Sequence, residues 1–241
     1  MNTTSKIILA ATLLALPYTV TAQELSEARI KELVYEAILE NPDIIMDAVA
    51  IIQQREEVEQ AASIQSVLTD QRVLLESDPN APVLGNPDGD VTVIEFFDYN
   101  CPFCKRVMPE VQALLEADPD VRLVYREWPI LGEGSVYATR AALASREQGK
   151  YEEFHWALMG AKGRLEEASV LKIAKDVGLD IGQLIADMQS DEVNEHIETS
   201  MRLAQFLGFN GTPSFVIGDM LLPGFIEQGE LQQSVDKDRE N

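Results

Sequence analysis

The sequence predicts a mixed α/β fold, preceded by a helical extension and interrupted by a helical insertion. Three observations predict it. A strand-like run, Val91 to Phe97, leads through Cys101-Pro102-Phe103-Cys104 into a helical run, Lys105 to Leu115. A second strand-like run, Val121 to Glu127, follows, so strand, helix and strand form a βαβ unit with parallel strands and a right-handed crossover. Helical patterning then fills about 24–77 before the unit and about 135–208 after it.

The chain opens on a leader, residues 1–22. Lys6 gives a basic start, and Ile7 to Leu16 is apolar but too short to span a bilayer. Val20-Thr21-Ala22 offers small residues at the cleavage position, so the mature chain is expected to begin at Gln23. A retained membrane anchor is the competing reading. Export places the protein in an oxidising compartment, with the periplasm the expected destination. The net charge of −22, from 41 acidic and 19 basic residues, argues against nucleic acid and against anionic membrane surfaces as partners.

Residues 23–80 read as an N-terminal helical extension. Ile30, Leu33, Val34 and Ile38 form one apolar stripe, which stops near Asn41-Pro42-Asp43. There Asn41 can cap a second helix with Pro42 in its first turn. That helix is apolar from Ile44 to Ile52, polar over Gln53 to Glu57, and weakly apolar again at Val58, Ala61, Ile64, Val67 and Leu68. The stripe needs a partner, either the main domain or the same segment of another chain. The polar spacer favours the second, a homo-oligomer through 24–77.

Asp78-Pro79-Asn80-Ala81-Pro82 breaks the helix, and residues 81–241 read as the main domain. Val83-Leu84 forms a short edge strand, and Asn86 to Asp90 turns into the strand at Val91. The helical insertion spans about 133–208. Ser214 to Ile217, Gly218-Asp219 and Met220 to Leu222 give a hairpin, and a helix over Glu227 to Val235 closes the chain.

The chemistry lies in the only two cysteines. Their spacing is too tight to staple a fold and suits making and breaking one bond. Cys101 falls at a helix start, where free backbone N–H groups and the helix dipole stabilise a thiolate. Cys104 lies one turn further in, so Cys101 is the attacking sulfur and Cys104 the resolving one. Pro102 and Phe103 supply no acid or base, so tuning falls to the backbone, Lys105 and the neighbouring loop. Structural zinc wants four ligands, and only His155 and His196 could add to the pair; c-type haem wants a His where Lys105 stands. A structural disulfide and a copper(I) site on the two thiols stay open. No metal or cofactor is expected.

Glu95 interrupts an apolar strand. It could face solvent, or, on a strand covered on both faces, lie buried near Cys104 and relay its proton; the second reading is preferred. Thr212-Pro213 precedes a strand, beside Gly208-Phe209-Asn210-Gly211. His155 and Trp156 read as helix packing.

The run Glu95 to Cys104 resembles the exported DsbA-type thiol:disulfide oxidoreductases. So do Arg126-Glu127-Trp128-Pro129-Ile130-Leu131-Gly132, Gly149 to His155, and Gly211-Thr212-Pro213-Ser214-Phe215-Val216. The resemblance covers about residues 81–241. It implies a thioredoxin fold with an inserted helical subdomain, Cys101 as nucleophile, Cys104 as resolver, Glu95 as the acid beneath the site, and Pro213 as a cis proline after Thr212. Pro102, Phe103, Thr212 and Pro213 are then the residues expected to touch substrate. The family's best-known oxidases carry His where Phe103 stands. Residues 24–77 are similar to the N-terminal extension of ScsC-type proteins, linked to copper tolerance, where the extension drives oligomerisation and the oligomers can isomerise disulfides.

The expected function is thiol–disulfide exchange with cysteine-containing exported proteins through Cys101 and Cys104, as oxidase or isomerase. An oxidase requires a membrane redox partner to reset the pair. The rival class is a holdase or copper(I)-binding protein that uses the helical arm and the thiols.

Overall fold

The computed structural model describes residues 26–240. The expected leader, 1–22, and the start at Gln23 lie outside the described residues. The chain divides into two compact units, one ending at Glu56 and one beginning at Glu57.

In the first unit, helix α1 (Glu27–Glu40) starts where Ser26 Oγ accepts the Arg29 N–H at 3.3 Å. Asn41 closes this helix, its N–H on the Ala37 carbonyl, and its own carbonyl takes the Ile44 N–H at 3.1 Å. Helix α2 (Asp43–Asp70) follows directly. None of residues 26–56 is buried. Ile30, Leu33, Ile44, Ile45, Met46 and Ile52 are all exposed, so the apolar stripe has no cover within its own unit.

The second unit takes in more of the helical segment than the spacer suggested. α2 stops at Asp70, and after Gln71 a short helix α3 (Arg72–Ser77) continues. Leu68 and Leu75 are buried with Ile94, Phe96, Val124 and Val216, with Ile64 and Val67 packed alongside. The second compact unit thus begins at Glu57, inside the segment read as the extension. The physical reason is a sheet with two apolar faces, one of which residues 64–75 cover. Arg126 fixes α3 in place. Its buried guanidinium donates to the carbonyls of Leu74 and Leu75 and pairs with Asp78 at 2.7 Å, which satisfies carbonyls left over at the helix end.

The sheet has five strands, β1 (Val83–Gly85), β2 (Val91–Phe97), β3 (Val121–Glu127), β4 (Ser214–Ile217) and β5 (Met220–Pro223), in the order β1-β3-β2-β4-β5. β2 and β3 run parallel, joined by helix α4 (Pro102–Ala117); the other neighbours are antiparallel. β2 is thus central and covered on both faces. Strand alternation puts Val93 and Phe97 on the face of α4 and of the last helix, α10 (Gln228–Arg239), and Ile94 and Phe96 on the other. Glu95 shares the α4 face, opposite Tyr125 and Phe215 in register. α10 is clamped at both ends. Glu110 Oε2 accepts the Gln228 N–H at 3.0 Å, and Arg239 reaches Asp90 and Asp118, each at 2.8 Å.

The insertion is helical, as expected: α5 (Glu133–Ala144), a 3₁₀ turn at Ser145–Gln148, α6 (Tyr151–Met159), α7 (Glu167–Val177), α8 (Ile181–Asp187) and α9 (Asp191–Phe206). Ala138, Ala141 and Ala142 are fully buried on α5, and Phe154, Leu158, Val170 and Leu184 join the cluster that covers the α4 face of the sheet. Leu203 and Leu207 cover the opposite face. Among the described residues, no helix is long and apolar enough to cross a membrane.

Candidate redox site at the start of α4

The segment between β2 and α4 is held by two short polar side chains. Asp98 is fully buried. Its Oδ1 accepts from the Asn100 N–H and from Ser135 Oγ, both at 2.7 Å. Its Oδ2 accepts from the N–H groups of Ile130 and Leu131 at 2.8 and 2.9 Å. Its carbonyl takes the Cys101 N–H at 3.0 Å. Asn100 reaches the insertion: Oδ1 accepts the Leu165 N–H at 2.6 Å and Nδ2 donates to the Leu165 carbonyl at 3.1 Å. Gly134 permits this approach, since a Cβ there would collide with the Leu165 carbonyl.

Cys101 is the N-cap of α4, with Pro102 in the first turn. Its Sγ accepts from the Cys104 N–H at 3.5 Å and lies 3.2 Å from the Thr212 carbonyl oxygen. The Cys101 thiol is drawn down to about 6, chiefly by a hydrogen bond from the Cys104 thiol, with Thr212 and the amides of Cys104 and Phe103 adding to it and burial opposing. Burial pushes the Cys104 thiol well above its ordinary range, and Cys101 and Glu95 reinforce the effect. The two sulfurs differ less in exposure than the spacing suggested. Cys101 is 4 % exposed and Cys104 fully buried, so their inequality is electrostatic more than steric.

Glu95 is 2 % exposed. Burial, reinforced by Cys101, raises its carboxyl to about 8, so it is mostly protonated at neutral pH. The solvent-facing reading is thereby set aside. Lys105 was expected to help tune Cys101. Its Nζ donates to the carbonyls of Ala161 and Gly163 at 2.8 and 3.2 Å and makes no hydrogen bond to Cys101.

The Thr212–Pro213 bond is cis. Pro213 is buried, and its carbonyl takes the Gly224 N–H at 2.8 Å. Thr212 faces Cys101 through its carbonyl. Pro102 and Phe103 stand out into solvent, Phe103 at 52 % exposure. The structure therefore brings Cys101, Cys104, Glu95, Phe103 and Thr212 to one end of the sheet. His155 lies in an aromatic cluster with Phe97, Tyr99, Tyr125, Tyr151 and Trp156, its Nδ1 3.0 Å from the Tyr99 hydroxyl. Burial lowers it to about 3, which leaves it neutral and fits a packing role. Among the described residues, no cluster of three or more His, Cys, Asp or Glu could hold a metal ion.

Sequence reasoning missed Asp98, Asn100 and a buried pair at the end of β3. Asp98 and Asn100 carried a usable signal, being short polar residues between a buried strand and a helix start, where side chains of this kind bind nearby backbone. Glu127 carried none. It accepts from the Tyr151 hydroxyl at 2.5 Å and lies 2.6 Å from His196 Nε2, all three groups buried.

An α/β core that sets two thiols so unequally at a helix start defines a thiol–disulfide oxidoreductase of thioredoxin fold. Comparison with known families agrees: the DSBA-like thioredoxin domain matches residues 92–236, and the chain belongs to that family. The N-terminal domain of the copper resistance protein ScsC matches residues 27–59. A thioredoxin-like oxidoreductase from Silicibacter pomeroyi DSS-3 is 67% identical, covers 70% of this chain and 98% of its own, and superposes with a TM-score of 0.70. A linker-deleted mutant of Proteus mirabilis ScsC is 27% identical over 91% of this chain and 99% of its own, at 0.68. Among curated relatives, disulfide bond formation protein D of Bacillus subtilis is 27% identical over 65% of this chain and 76% of its own. A Salinispora tropica sodium/proton antiporter is 30% identical over 137 residues; the chain spans only 21% of that protein's length.

Proposed function

We propose that the protein exchanges disulfides with cysteine-bearing exported proteins, with Cys101 as the nucleophile and Cys104 as the resolving thiol. The observation that carries this is Cys101 as the N-cap of α4, with Cys104 one turn inside and buried. In the reduced protein, the Cys101 thiolate attacks a substrate disulfide, forms a mixed disulfide and expels one substrate thiolate. Cys104 then loses its proton and attacks Cys101. The internal disulfide forms and the second substrate sulfur leaves reduced. The reverse sequence oxidises a substrate dithiol. Glu95 is the proton carrier for Cys104, giving a proton when Cys104 is expelled and taking one when it attacks. Stabilising the Cys101 thiolate favours the reduced form and makes the disulfide a stronger oxidant.

We place the protein in the periplasm after loss of residues 1–22. The exposed apolar stripe of α1 and the first part of α2 supports self-association, which would hold several redox sites in one assembly. That arrangement favours the isomerase direction, in which Cys101 holds one substrate sulfur while another substrate thiol completes the exchange. No net electrons are then consumed. The oxidase direction needs a membrane redox partner to restore the disulfide.

Cys101→Ser tests the reading. Loss of both insulin reduction and the refolding of scrambled disulfide substrates supports it. Retention of both would overturn it in favour of a holdase or a copper(I)-binding protein. Thiol trapping in cells then separates the directions, since an isomerase is held reduced and an oxidase oxidised.

A further inference from the structure

Arg106 stands one helical turn beyond Phe103 on α4. Its Cζ lies 5.0 Å from the Phe103 ring centroid and 4.4 Å from that of Phe225. The guanidinium is exposed yet held between two aromatic rings. Phe103 belongs to the redox tetrapeptide. Phe225 follows Gly224, whose N–H is bound to the Pro213 carbonyl. The stack thus links the two segments that flank Cys101, the start of α4 and the loop tied to Pro213. Among the described residues, the Arg106 side chain makes no hydrogen bond and no ion pair. Its charge is therefore not neutralised by a carboxylate of the chain itself.

Stacking occupies the flat faces of a guanidinium and leaves the in-plane N–H fork open. That fork matches a carboxylate through two parallel hydrogen bonds. The cation stacks on Phe103, two residues from Cys101 in sequence, so a peptide bound at the sulfur comes within reach of it a few residues away.

We propose that Arg106 is a specificity-determining residue, and that it selects substrate segments carrying an Asp or Glu within a few residues of the reacting cysteine. Phe103 and Phe225 hold the guanidinium in place, and the flanking carboxylate of the substrate completes its pairing. The inference rests on the disulfide exchange proposed for Cys101. It adds a substrate class to that site: acidic cysteine peptides, bound locally although the chain as a whole repels negative charge.

The test uses the full chain in its disulfide form and three cysteine peptides that differ only at the flanking positions, with Glu, Gln or Lys. Mixed-disulfide formation is followed by stopped flow at low and at high salt. The expected result is a preference for the Glu peptide over the Lys peptide of about fivefold, within the range for an exposed charge pair. It should shrink at high salt, vanish in Arg106→Gln and reverse in Arg106→Glu. Each comparison is a ratio within one variant, so a general change in reactivity cancels. Equal rates for the three peptides, or a preference that survives Arg106→Glu, overturn this inference and leave the exchange reaction standing. Failure to exchange with any of the peptides overturns the exchange reaction and the inference together.

Discussion

The Cys101 sulfur lies 3.2 Å from the carbonyl oxygen of Thr212, so the first turn of α4 meets the loop before β4 at the reacting atom itself. A thiol can donate to that carbonyl, whereas a thiolate meets it as a second negative dipole. The amides at the start of α4 work the other way, since they donate to the thiolate. Burial also favours the proton, while the Cys104 thiol, the Thr212 side chain and the amides favour its loss, and the balance draws Cys101 down to about 6.

That balance can be read directly from alkylation. The rate of Cys101 modification by iodoacetamide should rise with pH about a midpoint near 6, while Cys104 stays unmodified in the native protein. Mass spectrometry of the quenched samples separates the two sites. A Cys101 midpoint near the free-cysteine value of about 8.5 would contradict the assignment of the nucleophile.

Glu95 gives a stability signature of its own. Its folded-state carboxyl is raised to about 8, so the folded protein holds the proton more tightly than the unfolded chain does. Stability therefore falls as pH rises from the ordinary carboxyl range to about 8. Glu95→Gln should remove that slope. At pH 8 it should stabilise the protein by up to about 5 kcal/mol, at about 1.4 kcal/mol for each unit of pKa displacement. Cys101 slopes oppositely in the reduced protein, because its depressed pKa adds stability that is lost as pH falls through about 6. Urea melts of the disulfide form isolate the Glu95 effect. In that form Cys101 carries no charge, so the Glu95 slope should end at a lower pH than in the reduced form.

How much of this was legible depended on whether a residue's role is set by its neighbours in sequence. The thiols were readable because a strand, a two-residue gap and a helix stand next to one another in the chain, and helix electrostatics do the rest. Glu95 was half readable. Its apolar flanks hinted at burial, and only the sheet order, with β2 in the middle, decided it. The partners of Lys105 could not be read locally, because Ala161 and Gly163 are more than fifty residues away. The same holds for the boundary at Glu57: no local pattern says that Leu68 and Leu75 belong under Ile94 and Phe96.

Asp98 shows what such distant partners contribute. Its carboxylate accepts from Asn100, Ser135, Ile130 and Leu131, so it ties the segment before Cys101 to the insertion. In Asp98→Asn, one carboxylate oxygen becomes an NH₂ group facing donors. At least one buried donor loses its acceptor, at about 1–3 kcal/mol each. The expected loss is about 3 kcal/mol by chemical denaturation. Crosslinking through Cys101 should become less regioselective, since the cysteine loop is then tethered to the insertion by fewer bonds. An unchanged denaturation midpoint would show that the network is not needed to hold the loop.

Two truncations separate association from folding, because the extension is divided between the two units. The stripe with Ile30, Leu33, Ile44 and Ile52 lies before residue 57 and is uncovered. Leu68 and Leu75 lie after it and are buried against the sheet. Starting the chain at residue 57 should abolish self-association in light scattering and leave the melting temperature of the redox domain nearly unchanged at low concentration. Starting it at residue 78 removes both leucines from the sheet. Full burial of one such side chain contributes about 1.5–3 kcal/mol, so the shorter chain should lose several kcal/mol and bind a hydrophobic dye on the exposed face of β2. Residue 78 would also leave Arg126 without the Leu74 and Leu75 carbonyls, a buried cation paired only with Asp78. If the chain beginning at 78 melted like the one beginning at 57, the covering role of α3 and the end of α2 would be wrong. If the chain beginning at 57 still associated, the stripe would not be the contact that joins copies.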